Sequence, residues 1–181
     1  MFRADYSNGF LEGASIKESA KTLGDLAQVF ANETARATLD PSTVVYRVQS
    51  HMPVGEGTAG GLFFGTSFVS PGTVDGEFFM TRGHYHARRN RAEYYWCYAG
   101  TGLLLLMDEN RRWWAQEMTP GSVHPIPGRV AHRLINTGSQ VFAVGACWPA
   151  DAGHDYDTIA ARGFSVRIFR GADGPEFRTA A

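Results

Sequence analysis

Four residues carry the strongest suggestion of chemistry in this chain of 181 residues: His84, His86, Glu93 and His132. His84 and His86 stand two apart in Gly83-His84-Tyr85-His86. On a strand, residues i and i+2 share a face, so the two imidazoles project to one side. Glu93 opens the next apolar run and can supply a carboxylate; His132 opens a later run and can supply a third nitrogen. If the shared side is a barrel interior, the nitrogens converge. Three histidines and one glutamate with open positions suit a first-row divalent ion such as Fe, Mn, Ni or Zn. An isolated His-x-His pair often only decorates a strand, so the reading depends on the surrounding order. Gly83 precedes the pair, Gly100-Thr101-Gly102 turns a hairpin, and Pro120-Gly121-Ser122 and Pro127-Gly128 lead into His132.

The elements that must position these residues read as short strands. The runs are Thr43–Val48, Gly61–Val69, Glu77–Met80, Glu93–Tyr98, Leu103–Met107, Arg112–Met118, Ser122–Ile126, His132–Ile135 and Val141–Trp148, with turn residues between them. Many short strands with regular turns indicate an all-β antiparallel sandwich or barrel. Residues 15–35 are the exception. Leu23, Leu26, Ala27 and Phe30 are spaced for one helical face, and Asp40-Pro41-Ser42 closes that region. One domain is expected, with a wrapping segment over about 1–42, a barrel core over about 43–170, and a Gly- and charge-rich tail over 171–181 that frays. Glu93, Tyr95 and Cys97 should share one strand face, with Tyr94, Trp96 and Tyr98 on the other, packed between sheets. One of Trp113 and Trp114 should be core and the other exposed or at an interface. His51 and His124 read as structural, and Arg88, Arg89 and Arg91 as a solvated loop that could also draw an anion inward.

Composition narrows the function classes. Glycine is abundant (21), aromatics make up 13% and charged residues only 19%, which fits a turn-rich β protein and argues against disorder. The net charge is −1, so nothing calls for nucleic acid or an anionic membrane. Cys97 and Cys147 sit in apolar runs with no Cys-x-x-Cys spacing, as expected for free buried thiols rather than a thiolate zinc site. The longest apolar runs, such as Leu103–Met107, fall far short of a bilayer span, and residues 1–13 lack a signal-like core. A soluble cytoplasmic protein is the expectation.

The stretches 83–102 and 120–138 resemble the two motifs of the cupin superfamily, in the right order. That resemblance implies a small antiparallel jelly-roll barrel with a metal at its mouth, held by His84, His86, Glu93 and His132. Residues 77–86, 92–96, 131–138 and 153–164 resemble, more narrowly, the cupin-type phosphoglucose isomerases; Gly153-His154-Asp155-Tyr156 lies outside the general cupin pattern. The narrower resemblance covers about 61–170. It implies interconversion of glucose 6-phosphate and fructose 6-phosphate with one divalent metal per subunit, iron first among Fe, Mn, Ni and Zn, in a homodimer.

The same resemblance implies residue roles. Ser67, Thr81, Gly83 and Tyr156 would bind the phosphate, with Thr66 adjacent to Ser67. Tyr95 would lie beside the reacting carbons, and His154 would help open the sugar ring. Trp148 stands where the family pattern carries a tyrosine, so an aromatic wall is kept and a hydroxyl lost. Isomerisation can proceed by proton transfer through a cis-enediol or by a metal-assisted hydride shift. Glu93 fits a base, a ligand, or both. Other metallocupin reactions, such as dioxygenation, and sugar binding without turnover share the ligand set. A regulatory sugar-binding cupin would normally be joined to a DNA-binding domain, and this chain has no basic helix-turn-helix segment.

Overall fold

The apolar runs separated by glycine turns become strands, and every pairing among the described residues, 1–180, is antiparallel in this computed structural model. In chain order the elements are β1 (Arg3–Ala4), β2 (Leu11–Glu12), β3 (Ile16–Thr22), a 3-10 turn at Gly24–Leu26, α1 (Glu33–Thr38), β4 (Val44–His51), β5 (Leu62–Val69), β6 (Thr73–Val74) and β7 (Glu77–Phe78). There follow β8 (Glu93–Ala99), β9 (Gly102–Asp108), β10 (Trp113–Met118), β11 (Val123–Ile126), β12 (Val130–Asn136), β13 (Phe142–Pro149), α2 (Asp157–Arg162), β14 (Val166–Arg170) and β15 (Pro175–Thr179).

A six-stranded sheet in the order β11-β8-β13-β5-β4-β3 forms one wall. The three-stranded sheet β10-β9-β12 and the four-stranded sheet β15-β14-β7-β6 form the other, tied together where Met80 bridges Ile135. Side chains from both walls share one core, from Val45 and Val69 on one side to Leu104, Leu106 and Ile135 on the other. β9 is the centre of its sheet and is buried on both faces, which is why Leu103–Met107 reads as a continuous apolar run rather than an alternating one. This is the antiparallel barrel that the strand pattern implies, of the jelly-roll kind that the cupin resemblance implies.

Residues 15–35 do not form one helix. Ile16–Thr22 is a strand, paired to β4 from Ile16↔His51 to Thr22↔Val44. The sheet edge offers this exposed segment a backbone ladder, and that outweighs its weak helical preference. The periodic Leu23, Leu26 and Phe30 are buried as a short plug beginning in the 3-10 turn. Helix appears only at Glu33–Thr38, where the Asn32 side chain accepts from the Ala35 N–H at 2.9 Å. Part of the tail, Pro175–Thr179, is a strand. β15 pairs along β14, and Phe177 stacks on Trp113 at 5.4 Å, which leaves Trp114 as the tryptophan against the core.

On β8, Glu93 and Cys97 are buried on the inner face. Tyr94, Trp96 and Tyr98 do not pack between sheets. They lie on the outer face, where Trp96, Tyr98, Phe68 and Ala143 make a small second cluster beneath the N-terminal segment, with Tyr6 against Tyr98 at 5.7 Å. Tyr94 is exposed. His51 and His124 are structural: His51 contacts the Ser15 hydroxyl at 3.0 Å, and His124 contacts Gln116 and Ser122 at 2.7 and 2.9 Å.

Candidate active site

The His-x-His segment is not a regular strand. His84 and His132 exchange backbone N–H···O contacts of 3.3 and 3.1 Å across a single antiparallel bridge. Tyr85 faces the other way and pairs with Asp155 at 3.2 and 2.8 Å. The alternation of a strand therefore survives, held by two different neighbours, and His84 and His86 turn to the same side. Gly83 begins the segment at φ +76°, where a Cβ would come within 2.7 Å of Phe164 Cε2 and 3.1 Å of Arg133 Nε. Only glycine fits without displacing the ring beneath it. Glu93 starts β8 and His132 is the third residue of β12, so both sit on rigid sheet.

One ligating atom from each of His84, His86, Glu93 and His132 lies within 4.8 Å of all the others. His84 Nε2, His86 Nε2, Glu93 Oε1 and His132 Nε2 are buried and have no hydrogen-bond partner. His86 Nε2 and His132 Nε2 approach Glu93 Oε1 at 3.2 and 2.6 Å, yet the contacts lack hydrogen-bond direction. An unpaired buried polar atom costs about 1–3 kcal/mol, so four together imply a shared partner at their centre. The tautomers agree. His86 Nδ1–H donates to the Arg91 carbonyl at 2.8 Å and His132 Nδ1–H to the Val130 carbonyl at 3.3 Å, leaving each Nε2 lone pair inward. The donor set fits a divalent first-row ion.

The local electrostatics follow from burial and crowding. Burial, with the neighbouring imidazoles of His132, His154 and His86, holds His84 well below its ordinary value. Burial acts to raise Glu93, but the adjacent His132 and His86 outweigh it and hold the carboxyl at about 2. Burial acts to lower His86, and contact with Glu93 overcomes it, raising the imidazole. Burial lowers His154 and raises Tyr156, while burial and the Glu93 charge keep the Tyr95 hydroxyl well above the ordinary phenol range.

A cleft of about 600 Å³ opens over this cluster. Ser67, Thr81, Gly83, Tyr95, Trp148, His154 and Tyr156 all line it, with His84 and Glu93 at its inner end. His86 and His132 lie deeper, outside its walls. His154 stacks on Tyr156 with rings 5.5 Å apart and meets His84 at 4.5 Å. Ser67 pairs with Val48 and Val144, on the inward-facing side of β5. Thr66 also lines the cleft, while its methyl group stands close to Gly9. Gly65 makes room for Trp148, since a Cβ there would meet the indole at 3.1 Å and the Gln49 carbonyl at 2.8 Å.

Among the cleft residues that the sequence reading does not single out are charged ones: Lys21 on β3, within the span expected to be helical, Arg82, between two motif residues, and Glu56. Arg82 stands over the Tyr156 ring at 6.0 Å and adds positive charge beside the hydroxyl-bearing wall. Arg88, Arg89 and Arg91 are not a free solvated loop. Arg88 and Arg91 both bind the buried Asp151, at 2.6 and 2.7 Å, and Arg89 binds Asp155 while lying 4.3 Å over Tyr85. They clamp the ligand-bearing loop to residues 149–155.

An antiparallel jelly roll with three histidines and a glutamate converging at its mouth defines the class: a cupin barrel. A family model described as glucose-6-phosphate isomerase (GPI) matches residues 20–177. The glucose-6-phosphate isomerase of Thermococcus litoralis is 41% identical over 165 residues, covering 90% of this chain and 85% of that protein. That of Pyrococcus horikoshii is 42% identical over 169 residues, with the same coverage of 90% and 85%. Among solved structures, Bacillus subtilis oxalate decarboxylase aligns at a TM-score of 0.45 and 15% identity, over 59% of this chain and 25% of that one. The chain belongs to the cupin-type glucose-6-phosphate isomerase family.

Proposed function

We propose that this chain interconverts glucose 6-phosphate and fructose 6-phosphate in the cleft, with a divalent first-row metal, iron first, held by His84, His86, Glu93 and His132. The observation that carries the reading is the four unpaired donor atoms at the inner end of a cleft whose outer walls bear hydroxyls and cations. When bound, the metal supplies Lewis acidity toward the oxygens of the opened sugar.

Ser67, Thr81, Gly83 and Tyr156 bind the phosphate. The Thr81 hydroxyl oxygen already accepts from the Leu134 N–H at 3.0 Å, which leaves its hydrogen free to donate outward. Lys21 and Arg82 add charge at that end. Trp148 walls the sugar. His154 is neutral at pH 7 because burial lowers it, so it can take the O1 hydroxyl proton and return one to the ring oxygen. Glu93 turns Oε1 to the imidazoles and also lines the cleft, so Oε2 serves the substrate side. It takes the C2 proton and returns it to C1 while the O2 hydroxyl proton passes to O1, so the ketose forms with no net change in protons. Tyr95 stays protonated and donates a hydrogen bond beside the reacting carbons.

We further propose a homodimer. Leu62, Tyr94 and Val123 are exposed on the outer face of the six-stranded sheet and offer an apolar surface for a second copy.

The test is incubation with fructose 6-phosphate, coupled to NADP reduction through auxiliary glucose-6-phosphate dehydrogenase. Protein-dependent NADPH formation is expected. No turnover with Fe, Mn, Ni or Zn would contradict the isomerase reading and favour another cupin reaction. Run in D2O, the proton route places deuterium at C2 of the aldose, whereas complete exclusion of deuterium contradicts a base role for Glu93 and favours the hydride shift.

A further inference from the structure

A second cleft, of about 640 Å³, lies on the outward side of β12, away from the metal ligands. Arg82, Arg133, Arg162, Arg167 and Arg178 wall it, and no aspartate or glutamate does. Arg82 is the one wall residue that it shares with the catalytic cleft. Two of these charges are answered nearby: Arg167 by the buried Glu77 at 2.9 Å and Arg178 by Glu176 at 2.8 Å. Arg82 gives an η nitrogen only to the Asp25 carbonyl, at 2.7 Å. Arg133 and Arg162 have no ion-pair partner among the described residues.

Arg133 is the unusual member. It is 6% exposed, next to His132 in sequence but on the opposite face of the strand. One η nitrogen donates to the Arg82 carbonyl and the other to Met80 Sδ at 3.0 Å. The guanidinium lies 4.6 Å over the Phe164 ring, and Nε has no partner at all. A buried cation is ordinarily paired, because an aromatic face and neutral acceptors do not replace lost hydration. Here the missing anion has a ready place, since the same cleft brings four further arginines without a lining carboxylate.

We propose that this cleft binds a small anion of the phosphate class, inorganic phosphate or a phosphomonoester, with Arg133 at its floor and Arg162 and Arg178 at its rim. Guanidinium forks match phosphate oxygens in pairs, and the absence of lining acids selects for charge rather than for a neutral sugar. Arg133 also holds the Arg82 carbonyl and lies against Gly83, so the anion would brace the Thr81–His84 segment from behind. The inference stands apart from the isomerase reading, because none of its steps needs turnover.

The test is isothermal titration with inorganic phosphate on four proteins: the unaltered chain, R162Q/R178Q at two exposed positions of the rim, S67A/Y156F in the catalytic cleft, and the two pairs combined. The S67A/Y156F protein should keep one phosphate site, and adding R162Q/R178Q should weaken that site at least tenfold. Loss of all phosphate binding in S67A/Y156F, or affinity unchanged by R162Q/R178Q, would overturn the proposal. The unaltered protein gives a check free of folding artefacts. The Arg133 Nε–Hε resonance in a 15N spectrum should move on adding phosphate, and a resonance that stays fixed at saturation contradicts the site.

Discussion

At the scale of the residue, Glu93 bears two demands with one side chain: an oxygen for the imidazole cluster and an oxygen for the cleft. Glu93→Gln keeps the shape and removes the charge. Activity should fall about 100-fold or more, the usual span for a lost general base, while metal content per chain falls by a smaller factor. Equal losses in parallel metal analysis and rate measurements would reduce Glu93 to a ligand. His154 gives a pH prediction. Burial lowers it, so the neutral form persists below the ordinary value of 6.5. The acid limb of kcat/KM should therefore lie below pH 6.5 and disappear in His154→Gln. A limb at or above 6.5 that His154→Gln removes would contradict the assignment. The same sign holds for the stability that these imidazoles contribute: as pH falls below 6.5 the unfolded chain binds protons that folded His84 and His154 resist, which weakens the metal-free fold, while the raised His86 acts in the opposite direction. The convergence of His84, His86, Glu93 and His132 was legible in sequence because their types and order resemble the two cupin motifs. The partners of Arg88, Arg89 and Arg91 were not, since Asp151 and Asp155 lie 60 to 66 positions away and only folding makes them neighbours.

At the scale of the element, the clamp between the ligand loop and residues 149–155 is a load on one carboxylate. Asp151→Asn keeps the volume and removes the charge facing Arg88 and Arg91. Because both arginines are partly exposed, the cost should be about 2 kcal/mol, below that of a fully buried pair. Urea unfolding measures it, and a change under about 0.5 kcal/mol would show that the clamp is not structural. The strands of the barrel were readable because alternation and turn residues act locally. The span 15–35 misled because its apolar spacing is genuine over a single turn, while the strand before it is fixed by β4, a partner that local sequence does not reveal. The last strand was hidden for a similar reason: Pro175–Thr179 gains its order from pairing with β14 and from the Trp113 stack.

At the scale of the whole molecule, the barrel sets a cluster of three imidazoles and a carboxylate at one end of a cleft whose walls also bear hydroxyls and the cations of Lys21, Arg82 and Arg88. No helix among the described residues is long and apolar enough to cross a membrane. The dimer proposal predicts twice the chain mass of 19.8 kDa by light scattering, and a Leu62→Asp/Val123→Asp variant should shift it toward one. A monomer at micromolar concentration in the unaltered protein would contradict it. The fold joins distant segments into one mouth: His132 reaches His84 across 48 positions, and Asp155 reaches Tyr85 across 70. The most direct measurement is therefore made on the intact protein: isomerase rate and bound metal determined together through chelation and stepwise reloading with single ions. The account predicts that rate and metal content fall together and that one ion per chain restores both. Full turnover in protein shown to be metal-free would contradict it.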